Sequence, residues 1–471
     1  MTNYIDKENA QLSFAWERPT VATLGSNGVT ASVIGSFTGL TVNAYVGQML
    51  RVLSGNQKGY IYHILSNTAT RMTVEGIHAP NATSAIGSGD RVAWSTNGIS
   101  PGVSSVTTYL GTVETFQPPT REQEVQDYFS HGSGVTRAYS FVKKIKYQGG
   151  SLPVGLQGRP EILMGLGRTA ITGTDSGSGG GSTLSASVQP WDNTISITSA
   201  TGYLANDYIQ IDTTTSAEVR KISSIDGTTF TLDQPLDYAH ANGATCNEVV
   251  APWTYTIYPS AALNRSFTVL RAFSDPAGDD NDVIEEWHGN YIESASFSSG
   301  EDQELQATIG FRGMTYTRTT DGTSKPTVTV DTANPYFWDG STVNYNSVAI
   351  GIIREFAAEW SWDLEDVYAH GGFTTKRPYR IYRKRPSFTG NYTYIPVSDT
   401  LKGYGDVATE YDSYVQLTRS ATDYFKLSFV DAVVIKDDWP TPESGYVTGD
   451  HQMSPEQIQF SIVIDDTAPM Y

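Results

Sequence analysis

The chain has 471 residues, of which 39% are hydrophobic and 11% aromatic, enough for roughly two to four domains with packed cores. Only 17% of the residues are charged, and 31 basic against 50 acidic residues give a net charge of −19. Such an acidic surface repels phosphate, which argues against a protein that holds nucleic acid or anionic lipid through basic residues. The single cysteine, Cys246, excludes an internal disulfide and a cysteine-based zinc site.

The N-terminal segment MTNYIDKENAQLSF has no basic start followed by an apolar stretch, so we expect no signal peptide. No apolar run is long enough to cross a bilayer, so we expect no membrane insertion. We therefore expect the protein to be synthesised and folded in a cytoplasm. Gly, Thr, Ser and Tyr are abundant, which favours strands and turns and predicts an all-β fold with minor α content.

An internal repeat occupies residues 31–97 and 185–250. The first copy is marked by Tyr45, Leu50, Val52, Ile64, Met72 and Val74, and it closes at Val92 and Trp94. The second copy is marked by Tyr203, Ile209, Ile211, Ile222, Phe230 and Leu232, and it closes at Val249 and Val250. Short alternating runs joined by Gly, Asn and Thr turns predict two similar small β modules. His63 aligns with Lys221 and Tyr62 with Arg220, so the copies share no catalytic or metal-binding residues.

Three other segments lie between or before these modules. Residues 1–30 are interpreted as an extended N-terminal arm. In PPTREQEVQDYF, Thr120 as N-cap and Gln123 three residues later form a capping-box signal that predicts one short helix. Residues 173–184, rich in Gly and Ser, are predicted to be a flexible linker.

The remaining residues, 98–172 and 251–471, form a discontinuous body with strong strand patterns. In FAAEWSWDLE one face carries Phe356, Ala358, Trp360, Trp362 and Leu364. The same period of two occurs in LQATIGF, where Leu305, Ala307, Ile309 and Phe311 alternate with polar residues, and in YFKLSFVDAVVI and EQIQFSIVIDD. A helix would scatter these side chains, so the patterns predict an antiparallel β-sandwich or barrel with one face of each sheet buried.

No catalytic motif is present that predicts an enzyme, and we expect no cofactor and no metal. The loop DPAGDDND places Asp275, Asp279, Asp280 and Asp282 close together. Clustered carboxylates can bind calcium, but this spacing does not match an EF-hand, and a solvated acidic loop is the simpler interpretation.

Carboxylates beside aromatic residues raise the hypothesis of a glycosidase. Glu285 and Glu286 precede Trp287 and His288. Two carboxyl groups must flank the scissile bond in such enzymes, whereas adjacent residues of a strand point to opposite faces. A second group, Glu359, Asp363 and Glu365, shares the face opposite the aromatic residues of its strand, which predicts a solvated face.

A basic run stands out in this acidic chain. It contains Lys376, Arg377, Arg380, Arg383, Lys384 and Arg385. A phosphate-binding patch, an interface strip that meets acidic residues of a neighbouring copy, and a solvated edge strand guarded by charge are all compatible with it. The net charge places the phosphate patch last, and we take the run as a candidate subunit interface.

The body resembles the tail tube proteins, or major tail proteins, of tailed bacterial or archaeal viruses. WTYTIYPSAALNRSFTVLRAF, followed by WHGNYIESASFSSGEDQELQATIGFRG, resembles the family's GxxIxSxSFSxxxGE strand and its amphipathic partner. IIREFAAEWSWDLEDVYAHGG with RIYRKRPSFTGNYT is similar to the next element, and FVKKIKYQGGSLPVGLQGRPEILMGLGR resembles the segment ahead of it. The resemblance covers about residues 100–172 and 251–471.

The resemblance implies a structural protein that assembles into stacked rings, usually hexameric, forming a hollow tube for genome delivery. Its implied partners are other copies of itself, other tail proteins and viral DNA in transit, and its implied location is the virion after assembly in the host cytoplasm. The two modules resemble external insertions, and the loop from Asp275 to Asp282 is a candidate lumen or ring-to-ring contact.

The competing hypothesis is a tail-tip or spike β-protein that binds or cleaves host-surface glycans. The sequence contains nine Trp and 28 Tyr, which could stack on sugars or could pack in a core. A secreted adhesin is disfavoured by the missing signal peptide.

Overall fold

The computed structural model describes most of the chain. The described residues are 10–17, 20–24, 33–35, 37, 39–46, 49–55, 61–74, 86, 89–95, 112–113, 115–129, 137–156, 161–177, 179–260, 266–273, 282–319, 328, 334–345, 351–367, 380–396, 410–438, 449–466 and 468–469.

Strands dominate these described residues, which include two 3₁₀ turns, Glu161–Leu166 and Trp338–Gly340, and no α-helix. The all-β antiparallel prediction is confirmed. In chain order the strands are β1 (Ala10–Trp16), β2 (Thr20–Thr23), β3 (Val33–Gly35), β4 (Met49–Val52), β5 (Ile61–Asn67), β6 (Arg71–Val74), β7 (Arg91–Ser95), β8 (Thr112–Val113), β9 (Thr120–Phe129), β10 (Arg137–Gly155), β11 (Gly167–Asp175), β12 (Gly181–Thr183), β13 (Thr194–Ser196), β14 (Tyr208–Ile211), β15 (Glu218–Asp226), β16 (Thr229–Leu232), β17 (Thr245–Pro259), β18 (Phe267–Phe273), β19 (Val283–Gly300), β20 (Gln306–Gly313), β21 (Thr315–Thr319), β22 (Ser341–Tyr345), β23 (Gly351–Val367), β24 (Arg380–Pro396), β25 (Tyr411–Ser420), β26 (Asp423–Asp438), β27 (Gly449–Ser454) and β28 (Gln457–Ile464).

The segment predicted to be a short helix is instead strand β9. It pairs antiparallel with β10 along its whole length, from Thr120 opposite Gln148 to Phe129 opposite Arg137. A capping box satisfies donors at one helix end only, whereas a partner strand supplies hydrogen bonds along the segment. The helix prediction was therefore wrong, because strand pairing outweighs the local capping signal here.

The body is built from three antiparallel sheets. The main sheet has the order β9-β10-β20-β19-β23-β24-β27-β26. The second sheet has the order β11-β17-β28-β26-β25-β22. A smaller side sheet has the order β1-β18-β19-β21.

Two long strands each belong to two sheets. The first half of β19 pairs in the side sheet up to Asn290, and its second half pairs in the main sheet from Tyr291 onward. The first half of β26 pairs with β28 in the second sheet, and its second half pairs with β27 in the main sheet. Gly289 (φ +65°) and Asp431 (φ +48°) lie at these changes of sheet. Since positive φ is costly for most residues, these two positions mark where each strand bends.

The core lies between the main and second sheets and is strongly aromatic. Trp360 of the main sheet stacks on Phe460 of the second sheet, with ring centroids 5.5 Å apart and planes at 4°. Phe297 also contacts Phe460, at 4.8 Å between centroids. The predicted alternation is confirmed on both strands: the buried set comprises Leu305, Ala307, Ile309, Phe311, Phe356, Ala358, Trp360, Trp362 and Leu364.

The two repeated modules have the same strand order. The first module forms a sheet of order β2-β7-β4-β5-β6-β3. The second module pairs its strands as β12-β17-β14-β15-β16-β13. Each copy even has its bulge at the same place: the register shifts after Ile64 opposite Val74 in one, and after Ile222 opposite Leu232 in the other. The pairing of strands agrees with the prediction of two similar β modules. However, β2 of the first module and β1 of the side sheet lie within residues 1–30, which were interpreted as an extended N-terminal arm.

The closing residues of the repeat need one correction. In the first module Leu50 faces Trp94 and Val52 faces Val92. In the second module, Ile209 faces Glu248 and Ile211 faces Cys246. Val92 therefore corresponds to Cys246 rather than to Val249, because a strand register is fixed by the opposite strand and not by the nearest apolar pair.

The modules are attached to the molecule in different ways. The first has its own core cluster, which includes Leu50, Met72 and Trp94. It contacts the second module through Arg91, whose Nη2 lies 2.7 Å from Asp192 Oδ1. The second module instead shares β17 with the body, so the boundary drawn after residue 250 falls within one continuous strand.

Half of the glycine-rich stretch predicted to be a linker, residues 173–175 and 181–183, lies in strands. β11 extends to Asp175, and β12 begins at Gly181. A Cβ at Gly180 would meet the Tyr203 ring at 2.3 Å. This glycine therefore permits close packing of the backbone on an aromatic ring.

We predict that Trp360→Ala destabilises the body by about 3–5 kcal/mol, because it removes a fully buried indole and leaves a cavity between the sheets. The free energy of unfolding in urea, followed by tryptophan fluorescence and far-UV circular dichroism, measures this loss. The neighbouring exposed Glu359→Ala is the control and should change the value by less than about 0.5 kcal/mol. Equal effects of the two substitutions would contradict the assigned core.

Candidate functional site

The basic run is divided by the structure. Lys376 and Arg377 lie outside the described residues, and Arg380 starts β24, with only its backbone described. Lys384 and Arg385 are exposed on β24. Lys384 Nζ lies 3.2 Å from Glu365 Oε2 and 4.0 Å from Asp363 Oδ2, so it pairs with the acidic face of β23 in its own chain.

Arg383 is a core residue of this chain, 7% exposed. Its Nη1 donates to Leu166 O at 2.9 Å and its Nη2 donates to Gly165 O. The guanidinium lies over the Trp362 ring, 4.8 Å from the centroid, and burial lowers the pKa of Arg383 to about 9. Its position follows from alternation, since Ile381 two residues earlier is also buried. In this run only Lys384 and Arg385 are shown to be exposed for contact with another molecule.

The acidic loop is mostly outside the described part of the chain. Asp275, Asp279 and Asp280 lie there, whereas Asp282 is described as partly buried just before β19. Among the described residues, no group of three His, Cys, Asp or Glu side chains could hold a metal ion.

Glu285 and Glu286 point to opposite faces of β19, as alternation predicts. Glu285 accepts hydrogen bonds from Arg271 Nε at 2.9 Å and from Tyr316 Oη at 2.9 Å. Glu286 lies 3.6 Å from His288 Nε2, and this partner lowers the pKa of Glu286. The two carboxylates therefore belong to separate polar clusters and cannot act together on one sugar.

Glu285 faces a cleft of about 450 Å³ at the base of the β9–β10 hairpin. The cleft is lined by Pro118, Pro119, Arg121, Tyr147, Arg271, Glu285, Trp287 and Tyr316. The Arg271 guanidinium lies 5.4 Å from the centroid of the Trp287 ring and 4.9 Å from that of Phe273. Trp287 itself is only 3% exposed, so the cleft offers a charged rim rather than a flat aromatic platform.

A fully buried carboxylate fixes the end of strand β1. Glu17 accepts hydrogen bonds from Ser266 Oγ at 2.5 Å, Thr268 Oγ1 at 2.6 Å and Gly289 N at 2.8 Å. His288 Nδ1 lies 4.0 Å from Glu17 Oε1. Burial raises the pKa of Glu17, and the hydrogen bonds together with His288 oppose that rise.

A buried ionic network lies in the second module. Arg220 Nη2 lies 2.6 Å from both Glu218 Oε2 and Asp237 Oδ2. Glu218 Oε1 also accepts from Tyr238 N at 2.7 Å and lies 3.0 Å from His240 Nε2. Tyr238 links this network to the body, because its Oη donates to Thr169 O at 3.0 Å. Sequence analysis missed these residues. A signal was available, because Glu218 and Arg220 alternate with Val219 on β15 and share a face with the apolar Ile222, so the pattern placed charged side chains on a core face.

A third buried polar group joins β24, β26 and β27 of the main sheet to Tyr411 of β25 in the second sheet. Tyr411 Oη and His451 Nε2 are 2.8 Å apart, and His451 Nδ1 lies 3.7 Å from Asp437 Oδ1. Tyr394 Oη donates to the same Asp437 oxygen at 3.0 Å. All of these side chains are buried or nearly so, which makes the group part of the packing between strands.

No family model and no curated protein matches this chain. Within the described residues, no helix is long and apolar enough to cross a membrane. The candidate sites in the described part of the chain are surfaces: the exposed end of the basic run, the hairpin with its cleft, and the open edges of the sheets.

We predict that Glu17→Gln makes stability less dependent on pH. Because the pKa of Glu17 is raised in the folded state above its ordinary value of 4.5, its stabilising contribution is complete below pH 4.5 and is lost as pH rises through the folded pKa. Glutamine resembles the protonated acid, so the variant should lose less stability between about pH 4 and pH 8. Urea unfolding across this range tests it, with the exposed Glu355→Gln as control; identical pH profiles for wild type and Glu17→Gln would contradict it.

We also predict that Arg220→Ala destabilises the second module by about 3–5 kcal/mol, because Glu218 and Asp237 would remain buried without their cation. Hydrogen exchange of β14–β16 amides and urea unfolding measure the effect. Lys221→Ala, at the adjacent and less buried position, should cost no more than about 1 kcal/mol. A loss in Arg220→Ala no larger than in Lys221→Ala would refute the network's role.

Proposed function

We propose that this chain is a structural virion protein that assembles with copies of itself into the rings of a viral tail tube. The observation that carries the proposal is the open edge of the main sheet. Among the described residues β9 pairs with β10 alone, and the side chains described for β9 are exposed. A ten-residue open edge is a template for pairing with another chain.

Ring closure explains how such an edge can be used without aggregation. A head-to-tail contact between different surfaces of identical subunits closes into a ring when its rotation divides a full turn. Each subunit then pairs its open strand edge with one neighbour and covers the open edge of the other neighbour. The closed ring therefore has no unpaired strand edge. The sequence resemblance to tail tube proteins supplies the expected hexameric symmetry and the stacking of rings.

The charge of the chain supports the passage of DNA without retention. The solvent face of the main sheet exposes small uncharged side chains at Ser296, Ser298, Thr308, Ala357 and Thr389. Exposed carboxylates at Glu355 and Glu359 share this face, and its Lys384 is paired with Glu365. Binding of DNA is rewarded when basic side chains displace counterions, and the small side chains and carboxylates of this face provide no such reward. We assign this face to the lumen, with no enzymatic activity and with other tail proteins as the partners at the ends of the tube.

Five of the nine tryptophans give no support to the glycan-binding alternative. The tryptophans Trp94, Trp253, Trp287, Trp360 and Trp362 are each at most 4% exposed. Their rings are enclosed by other side chains and cannot stack on a sugar. Core packing accounts for these aromatic residues, which leaves self-assembly as the better-supported function.

Negative-stain microscopy of the purified protein over a range of concentrations tests the proposal. Rings or tubes of uniform diameter are expected. A strictly monomeric species that binds or cleaves a glycan would refute it.

We predict that Arg385→Glu impairs this assembly, because Arg385 lies exposed at the end of the basic run that we assign to a subunit contact. Sedimentation velocity should show a larger share of monomer at each concentration, with an unchanged circular dichroism spectrum. Lys436→Glu reverses a charge at another exposed position and is the matched control. If Arg385→Glu assembles like the wild type, the basic run is a solvated strand edge and not a subunit contact.

A further inference from the structure

Strand β1 is held at the edge of the side sheet by one neighbouring strand. Among the described residues it pairs with β18 alone, from Ala10 opposite Phe273 to Trp16 opposite Phe267. The buried Phe14 anchors the middle of the strand in the core, whereas the last residue, Trp16, is only partly buried. An edge strand opens from its ends first, so the contacts made directly after Trp16 decide how firmly β1 is held.

A chain of hydrogen-bonded groups runs from this end of β1 to the surface. Thr268 Oγ1 lies 2.6 Å from Glu17 Oε1 and 3.0 Å from His288 Nδ1. On the other side of the imidazole, His288 Nε2 lies 3.0 Å from Thr317 Oγ1, which donates to Glu286 Oε2 at 3.2 Å. The Glu17 side chain is inaccessible to solvent, whereas that of His288 is 20% exposed, so the imidazole connects the buried acid with the solvent.

The two hydroxyl groups fix the number of protons in this chain, because each has a single proton to donate. If Thr268 donates to an ionised Glu17 while Thr317 donates to Glu286, both ring nitrogens of His288 must donate, and the ring is an imidazolium. If Glu17 carries the proton instead, Thr268 donates to Nδ1 and Nε2 still donates to Thr317. In both arrangements Glu17 and His288 hold one proton between them.

Loss of this shared proton leaves the cluster short of one hydrogen. Glu17 is then ionised in a site without solvent, and a neutral His288 ring, 4.0 Å away, no longer balances its charge. The ring keeps a single N–H, so one hydroxyl must give up either the ring or its carboxylate. A buried carboxylate without a counter-charge is destabilised relative to a solvated one. Separation of β1 from β18 would solvate it.

The two carboxylates of the cluster respond to pH with opposite sign. Burial raises the pKa of Glu17 above 4.5, and the hydrogen bond from His288 lowers the pKa of Glu286 below 4.5. The contribution of Glu17 to stability is therefore complete below pH 4.5 and is lost as pH rises through its raised folded value. The contribution of Glu286 is present above pH 4.5 and is lost as pH falls through its lowered folded value. A rise in pH thus acts on the inner acid and not on Glu286.

The charged side chains that face the imidazole, in the part of the chain that the structure describes, are these two carboxylates. To this cluster β18 contributes the neutral Ser266 and Thr268, and β21 contributes Thr317. The ion pair of Arg271 with Glu285 lies on the opposite face of β18 and β19. The cluster therefore depends on its shared proton for the positive charge that balances Glu17.

We propose that the proton shared by Glu17 and His288 latches the end of β1 to the side sheet, and that loss of this proton at rising pH lets β1 separate from β18. The latch lies within one chain, so it does not depend on the proposed assembly into rings.

Hydrogen exchange of the β1 amides tests the latch. Protection factors of the peptide that covers residues 10–17 are measured by mass spectrometry at about pH 6 and pH 9. A protection factor compares the measured rate with that of an unfolded chain at the same pH, so the chemical pH dependence of exchange cancels. Protection of β1 in the wild type should fall about tenfold or more between these values, because a charged buried acceptor loses its partner. The amides of β28, in the second sheet, are the internal reference and should keep their protection.

Two substitutions should shift β1 in opposite directions. Glu17→Gln removes the buried charge, so protection of β1 should stay high at both pH values. His288→Gln removes the partner of an acid that is still able to ionise, so protection should already be low at about pH 6, close to the wild-type value at about pH 9. Glu355→Gln, at an exposed position on β23, is the matched control and should follow the wild type.

The results decide the proposal in either direction. The same fall in protection in Glu17→Gln as in the wild type would overturn the latch, and so would wild-type protection in His288→Gln. If His288→Gln lowers the protection of β28 as well, the comparison of the wild type with Glu17→Gln decides alone. Rings and single subunits contain the same latch, so failure of ring assembly in microscopy refutes the proposed function and leaves the latch standing.

Discussion

The body of this protein depends on the fact that β19 and β26 each belong to two sheets. The two strands join the three sheets covalently, and the changes of sheet occur near Gly289 and Asp431, where the backbone has positive φ. A Cβ at Gly289 would approach Met314 to 2.9 Å, so this site requires glycine for packing as well as for conformation. Glu17 accepts a hydrogen bond from the Gly289 amide, so the buried acid and the bend form one unit. The bend in β26 carries this strand between the two sheets that enclose the aromatic layer.

The repeated modules show how one pattern serves two kinds of attachment. Their strand order and bulge agree, yet Tyr62 of the first corresponds to the buried Arg220 of the second. In the first module a self-contained apolar core is sufficient. In the second, the strand bearing Arg220 lies between the module's own core and the body, where Val219 joins the main cluster of buried residues. A strand that is buried on both faces needs partners for its polar groups, and Glu218 and Asp237 supply them.

The sequence alone predicts the class of fold, the alternating strands and the repeat, because these depend on spacing within a segment. It does not predict β9, since the capping-box residues compete with a partner strand that local pattern cannot reveal. It places Arg383 with the surface residues because its neighbours in the chain are charged, although the alternation with Ile381 marks the core face. Glu17 could not be foreseen at all, because the groups that bind it come from β18 and β19, more than two hundred residues away. The open edge at β9 emerges only from the pairing of strands.

The continuity of β17 has a mechanical consequence. Any tension applied to the second module passes along an unbroken backbone into a strand that is hydrogen-bonded to β11 on one side and to β28 on the other. These ladders run alongside the strand, so a pull along it loads many hydrogen bonds in shear at once. In the part of the chain that the structure describes, β7 of the first module pairs only with β2 and β4 of its own sheet. A force on the second module is thus transmitted through β17 directly to the sheets of the core.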